Sequence, residues 1–275
     1  MKFTRRQLCG AVASAVPFSV LAQAQPKRKK LLAIGAVSGF QHDSVSNGLA
    51  TIYNLGQQTG LWDTYIRTDT QLITKKNIGG NAKTLNYFDA VFFYTTGELP
   101  LTDDQKADLM SFIRDDGKGF IGGHSAIDTF YKWPDFGEMT GAYFDGHPWN
   151  QFDAKVLVED REHPITKHFP ATFNIVDEIY QPSKEFSRDK VRVLMRLDPA
   201  ATDWARKGVK RADKDVAVAW VKNYGKGRVF YSTFGHREEV WNRWDIQTMY
   251  LEAVKWAMGM TEGSTAPRPV PAPAR

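Results

Sequence analysis

The stretch Gly117–Met139, GKGFIGGHSAIDTFYKWPDFGEM, decides how this chain is read. Gly119-Phe120-Ile121-Gly122 is short, apolar and bounded by glycine, the pattern of a strand buried on both faces. It runs directly into Gly123-His124-Ser125, a sharp turn that presents an imidazole and a hydroxyl. Enzymes of the α/β class often carry a nucleophile on such a strand-to-helix turn. The residues leave three readings: a serine elbow, a metal site, or a tight turn without chemistry.

The flanking sequence repeats the strand-then-helix pattern. Leu31–Ala36 and Ala90–Tyr94 are continuous apolar runs, and Trp62–Arg67 alternates like a second strand. Between them, Val45, Leu49, Ile52, Tyr53 and Leu55 fall at helical spacing after Asp43-Ser44 and stop at Gly60. Thr102 and Gln105 make a capping box for another helix, closed by Gly117. This alternation predicts a parallel sheet covered by helices, in one domain. Later strands are expected at Lys155–Glu159 and Lys190–Leu197. A hairpin, Val216–Lys222 with Gly227–Phe234, follows, and a closing helix runs from about Trp244 to Met258.

The two ends have a different character. Thr4-Arg5-Arg6-Gln7-Leu8, an apolar run to Leu21, and Ala22-Gln23-Ala24 form a twin-arginine export signal over residues 1–24. The run is too short to span a bilayer, which takes about 20 apolar residues. Its removal takes away Cys9, the single cysteine, and with it any disulfide or thiol nucleophile. Lys2, Arg5 and Arg6 also leave, so the net charge falls from +5 to +2, 33 basic against 31 acidic residues. That balance gives no support to a nucleic-acid partner. The mature protein is expected in the periplasm or secreted, and residues 262–275 are expected to form a disordered, proline-rich tail.

A parallel sheet gathers the loops at the carboxyl ends of its strands along one edge, where ligands bind. His42, His124 and His236 each follow a predicted strand, so they are the candidate metal ligands. Three imidazoles with an open position suit a divalent ion, zinc foremost. The alternative is a set of histidines hydrogen-bonded in a polar cleft. Ser125 is a candidate nucleophile or turn hydroxyl, although Gly123-His124-Ser125-Ala126 lacks the Gly-x-Ser-x-Gly frame. In Asp177-Glu178, an extended backbone sends the two carboxylates to opposite faces, and Glu178 is the candidate acid, base or ligand. Candidate substrate contacts are His147, Trp149, Tyr131, Asp128 and Tyr180, with Phe130, Trp133, Trp241 and Trp244 as further aromatics beside the loops. His163 is expected to set the chain before a short helix near Pro164, and His168 to lie on the surface.

Several segments together resemble the ThuA-like (trehalose-utilisation) family of the class I glutamine amidotransferase-like superfamily. They are Gly39-Phe40-Gln41-His42-Asp43-Ser44, Gly122-Gly123-His124-Ser125-Ala126, Phe144-Asp145-Gly146-His147-Pro148-Trp149, Glu162-His163-Pro164-Ile165-Thr166, Asp177-Glu178-Ile179-Tyr180 and Gly227 to His236, within residues 30–260. The resemblance implies a flavodoxin-like three-layer sandwich with a mostly parallel central sheet. It also implies that His124 stands where amidotransferases carry their cysteine, and that His236-Arg237-Glu238 is similar to their later His-x-Glu pair. Glutamine hydrolysis through a thiolate is therefore not expected. The family implies an enzyme acting on oxidised disaccharides such as 3-keto-trehalose, with His124 or Glu178 as base and His42 and His236 on a metal or an oxyanion. The alternative is a carbohydrate-binding or accessory protein without catalysis. The expected partner is a small carbohydrate, with no membrane once the leader is removed; a homo-oligomer is compatible with these expectations.

Overall fold

The computed structural model describes residues 27–270. The export signal read over residues 1–24 lies outside the described residues. Among the described residues, nine strands form one sheet: β1 (Lys29–Ile34), β2 (Trp62–Arg67), β3 (Ala90–Phe93), β4 (Gly119–Gly123), β5 (Gln151–Val158), β6 (Thr172–Glu178), β7 (Arg192–Leu197), β8 (Ala217–Tyr224) and β9 (Gly227–Ser232). Four helices accompany them: α1 (Val45–Thr59), α2 (Asp103–Arg114), α3 (Pro134–Thr140) and α4 (Trp244–Ala257).

Alternation along the strands builds two cores. On β1, Leu31 and Ala33 face one core with Leu49 and Ile52 of α1 and Ile246 and Met249 of α4. Leu32 and Ile34 face the other, with Leu109 and Phe112 of α2 and Phe136 and Met139 of α3. The result is the expected three-layer sandwich. Local signals place the helix ends: Gly60 adopts a left-handed C-cap (φ 69°), and Thr102 and Gln105 complete the reciprocal capping box of α2. Tyr53, counted on the apolar stripe of α1, is exposed instead. α2 ends at Arg114, ahead of Gly117.

The strand order is β2-β1-β3-β4-β9-β8-β7-β5-β6. The sheet is mixed and not mostly parallel: β2-β1-β3-β4-β9 pair in parallel, whereas β9-β8-β7-β5-β6 pair antiparallel. The physical reason is connectivity. Helices lie between the parallel strands in the first half of the chain, but no α-helix intervenes between β5 and β9. Following the pairings, β6 points in the same direction as β9, so its carboxyl end also belongs to the ligand-binding edge. β6 is four places from β9, yet Asp177 on β6 accepts the backbone N–H groups of Gly235 and Arg237 just beyond β9. The antiparallel half therefore curls back over that edge, and the irregular register of β7 against β8 at Met195 fits such bending.

Two loop expectations change. No helix follows Pro164; residues 164–168 form turns, with His163 buried before them. His168 is not a free surface residue, because its Nε2 lies 2.8 Å from the Asp245 carbonyl and its ring packs on Phe169. The proline-rich stretch has neither helix nor strand up to residue 270, but it lies against the body. Arg268 donates to the Glu159 carbonyl and pairs with Asp160, and Ala266 accepts from Arg192. Among the described residues, no helix is long and apolar enough to cross a membrane.

Candidate metal centre

Four segments deliver the site, each from the carboxyl end of a strand. After β1, residues 37–43 run beside the segment that follows β3: Ser38 N–H donates to the Thr96 carbonyl (2.9 Å) and Thr96 Oγ1 to the Phe40 carbonyl (2.8 Å). That pairing fixes the approach of His42. After β4, His124 opens a single turn of 3-10 helix with φ 38°, a conformation that costs a non-glycine residue about 1–3 kcal/mol. Tyr231 Oη donates to the His124 carbonyl at 2.7 Å and stabilises this turn. After β9, Gly235 takes φ 121°, and its carbonyl accepts from Ser44, Tyr94 and Trp241 at 2.8–2.9 Å. Ser44 Oγ also lies 2.7 Å from the His236 carbonyl. At the end of β6, Glu178 points into the site while Asp177, on the opposite face, holds the Gly235–Arg237 turn.

These segments bring His42, His124, His236 and Glu178 together so that one ligating atom from each lies within 4.8 Å of the others. Glu178 Oε2 is 3.1 Å from His236 Nδ1 and 3.7 Å from His124 Nε2, and Oε1 is 3.3 Å from His147 Nδ1. Even so, His124 Nε2, His147 Nδ1 and His236 Nδ1 have no aligned hydrogen bond, and neither does His42 Nδ1. Buried polar atoms without partners are expensive, at about 1–3 kcal/mol each. Imidazole nitrogens that converge on one carboxylate at 3.1–3.7 Å without aligned hydrogen bonds fit a cation between them. This His/Glu set could hold a metal, and its nitrogen and oxygen donors suit zinc or a similar divalent ion.

The protonation pattern supports ligation. His124 Nδ1 lies 2.6 Å from the Thr233 carbonyl, an acceptor only, so Nδ1 carries the proton and Nε2 presents its lone pair. Burial drives the His124 imidazolium well below its ordinary range. Burial, with His236 adding to it, lowers His42 to about 4. Burial also pulls on His236, but the adjacent Glu178 carboxylate more than offsets it and the net direction is upward. A histidine that resists protonation makes a poor proton acceptor and a good ligand. His124 Nε2 is thereby available as a ligand atom.

His42, Glu178 and His236 of the cluster, with Phe40, Asp128, Phe144, His147 and Tyr180, line a cleft of about 250 Å³, whereas His124 is fully buried. Tyr180 is buried, with Oη 3.2 Å from His42 Nε2 and its ring 4.4 Å from that of His124. His147 is half-buried and stacked on Phe144. Burial raises Asp128 above the usual carboxylate range, although Tyr131 Oη donates to it. Tyr131 itself is exposed, stacks on Tyr143 and reaches the cleft only through that bond.

Other candidates lie elsewhere. Trp149 does not line the cleft: it is buried in the core, and its indole N–H donates to the Asp203 carbonyl. Ser125 is fully buried and does not line the cleft. Phe130, Trp133 and Trp241 are core residues, and Trp244 is exposed beside His168. Glu238, in the His-x-Glu position, is exposed; the carboxylate among the histidines is Glu178. The aromatic walls are instead Phe40 and Phe144, both present in the quoted motifs but visible as site residues only once the loops are folded.

The chain matches the model of the ThuA family, described as trehalose utilisation, over residues 30–257. It belongs to the ThuA family. Membership implies a role in trehalose utilisation, and the turn at His124 is consistent with the wider glutamine amidotransferase-like superfamily. Among solved structures, a ThuA-like protein from Bacteroides uniformis is 22% identical with a TM-score of 0.68, covering 85% of this chain and 93% of its own. A ThuA-like protein from Parabacteroides merdae is 16% identical with a TM-score of 0.67, covering 88% and 94%. A cytoplasmic protein from Salmonella typhimurium LT2, 12% identical with a TM-score of 0.52, covers 83% of this chain and 99% of its own. At these identities the likeness speaks for the ThuA fold alone. No protein of curated function matches the chain.

Proposed function

We propose that this ThuA-family chain is an exported enzyme that cleaves oxidised glycosides, with 3-keto-disaccharides such as 3-keto-trehalose as substrates. The observation that carries the reading is the His42-His124-His236-Glu178 cluster, three of whose members line the cleft. Binding a sugar without chemistry calls for amides and aromatic faces; it does not call for three unpartnered imidazole nitrogens around a carboxylate. The twin-arginine pattern at residues 1–24 supports a reaction outside the cytoplasm.

A ketone at C3 makes the C2–H acidic, which opens a β-elimination. Glu178 is suited to be the base, because Oε1 faces His147 in the cleft while Oε2 faces His236 and His124. It takes the C2 proton, and the C–H electron pair becomes the enolate. That pair then forms the C1–C2 double bond as the bond from C1 to the glycosidic oxygen breaks. The departing oxygen takes a proton from Asp128, whose burial favours the protonated acid. Addition of water to the resulting enone completes a net hydrolysis. His42, His124 and His236 would hold a divalent ion, which supplies positive charge where the enolate oxygen develops.

Turnover of 3-keto-trehalose by metal-loaded wild type and by His124→Ala tests the proposal. The expected result is divalent-ion-dependent cleavage that falls about a hundredfold or more in the variant. Undiminished turnover in His124→Ala would remove that residue from the site. No turnover by wild type, with sugar binding retained, would favour a carbohydrate-binding accessory protein.

A further inference from the structure

The cleft over the cluster does not end at His236. A second depression, of about 330 Å³, shares Phe40, His42 and His236 with it and continues past Gln41, Asp43, Gln151 and Glu238. The three shared residues form the sill between the two spaces. One of them, His42, is 4% exposed and carries an unpartnered Nδ1, so the second space opens onto the same incomplete polar centre as the first. Phe40 stands 66% exposed on this sill, on a backbone pinned to Thr96. An exposed aromatic on a fixed backbone between two polar hollows suits the apolar face of a ring passing from one to the other.

The chemistry of the second space is selective. Arg237 is committed: its guanidinium pairs with Glu239 at 3.1 and 3.3 Å and donates to Gln151 Oε1 at 3.2 Å. That leaves the Gln151 amide N–H groups as donors. Asp43 and Glu238 make no side-chain hydrogen bond or ion pair among the described residues. The depression therefore offers two uncommitted carboxylates and an amide, a set that accepts and donates to vicinal hydroxyls. Beyond the histidine cluster itself, its lining offers no uncommitted cationic side chain to an anionic group.

We infer that this depression is the leaving-group subsite, and that Asp43, Gln151 and Glu238 admit only an uncharged, non-phosphorylated departing ring. One ring sits over Glu178 and the other against Asp43, Gln151 and Glu238. The inference rests on the sugar reading of the cleft and adds which residues receive the departing half and exclude a charged one. A phosphorylated or uronic-acid ring would set its anion beside Asp43 and Glu238 and be rejected.

Calorimetric titration of the full chain with trehalose, methyl α-glucoside and trehalose 6-phosphate tests this without requiring turnover. Trehalose is expected to bind about tenfold tighter than methyl α-glucoside, and about tenfold tighter than its 6-phosphate. In Asp43→Ala/Glu238→Ala the advantage of the second ring should shrink to about threefold or less. In Asp43→Asn/Glu238→Gln the phosphate penalty should shrink while trehalose still binds. Both residues are exposed, so neither pair of changes opens a core cavity. Absence of trehalose binding, equal binding of trehalose and methyl α-glucoside, or equal binding of the phosphorylated sugar would overturn the inference. Failure of the wild type to turn over a 3-keto substrate would instead count against the proposed reaction and leave these binding differences intact.

Discussion

Gly235→Ala offers a test in which the fold and the site move together. Gly235 sits at φ 121°, where a side chain is strained by about 1–3 kcal/mol. A Cβ built there would meet Trp241 Cζ2 at 2.6 Å, Cε2 at 2.8 Å and Nε1 at 2.9 Å. Trp241 cannot retreat cheaply, because it is fully buried and its indole N–H donates to the Gly235 carbonyl. Overpacking of this kind costs about 1–3 kcal/mol. Together the two effects destabilise the chain by roughly 2–6 kcal/mol. Because the next residue is His236, zinc affinity should fall at least about tenfold in the same variant. Urea unfolding followed by tryptophan fluorescence gives the first quantity, and competition with a chromophoric chelator gives the second. Gly60→Ala is the control: φ is 69° but nothing lies within 4 Å, so only a backbone cost of about 1–2 kcal/mol is expected, with no change in zinc affinity. If Gly235→Ala unfolds within about 0.5 kcal/mol of wild type and binds zinc equally well, the reasoning about this turn is wrong.

Three further outcomes are expected. Glu178→Gln keeps the shape of the cluster but removes its negative charge, so divalent-ion affinity should drop about tenfold or more, and equal affinity by calorimetry would contradict the placement of the Glu178 charge beside the bound ion. His163 is buried, and its conjugate acid is lowered to about 4 against an unfolded value near 6.5; the stability held above pH 6.5 is therefore lost as pH falls towards 4, by up to about 3 kcal/mol. Urea midpoints at pH 7 and 4.5 should converge partly in His163→Gln, and an unchanged pH slope would exclude that residue as a cause. Trp149→Phe should cost about 1–2 kcal/mol of stability through the lost bond to Asp203, with sugar and metal binding unchanged; a loss of sugar binding without destabilisation would return Trp149 to the site.

The parallel half of the sheet was legible because buried strands and amphipathic helices have different periods, and Gly60 and the Thr102–Gln105 box mark helix boundaries in the residues themselves. From that half alone followed the convergence of His42, His124 and His236, since parallel strands bring their carboxyl ends to one edge. The antiparallel half was harder. β6 is an edge strand whose Thr172, Asn174 and Val176 are exposed, so it lacks the continuous apolar run of β3. Its return to the site depends on the curl of β7, β5 and β6, which no local pattern encodes. Glu178 was identifiable as a candidate from the alternation of Asp177 and Glu178, but its partners were not. Trp149 was misplaced for a related reason: a tryptophan beside a glycine-rich loop looks the same in sequence whether it faces a ligand or the core, and only the position of Asp203 and Trp204 separates the two. Phe40 and Phe144 became site residues through loop geometry, with no periodic signal to find them.

The most direct test of the metal centre is zinc titration of the chelator-treated full chain, with the X-ray absorption spectrum of the loaded protein. The structure leads us to expect one ion per chain with imidazole nitrogens at about 2.0–2.1 Å, and loss of that site in His124→Ala. Absence of uptake by the wild-type chain, or uptake unchanged by His124→Ala, would contradict the assignment of this cluster as a metal centre.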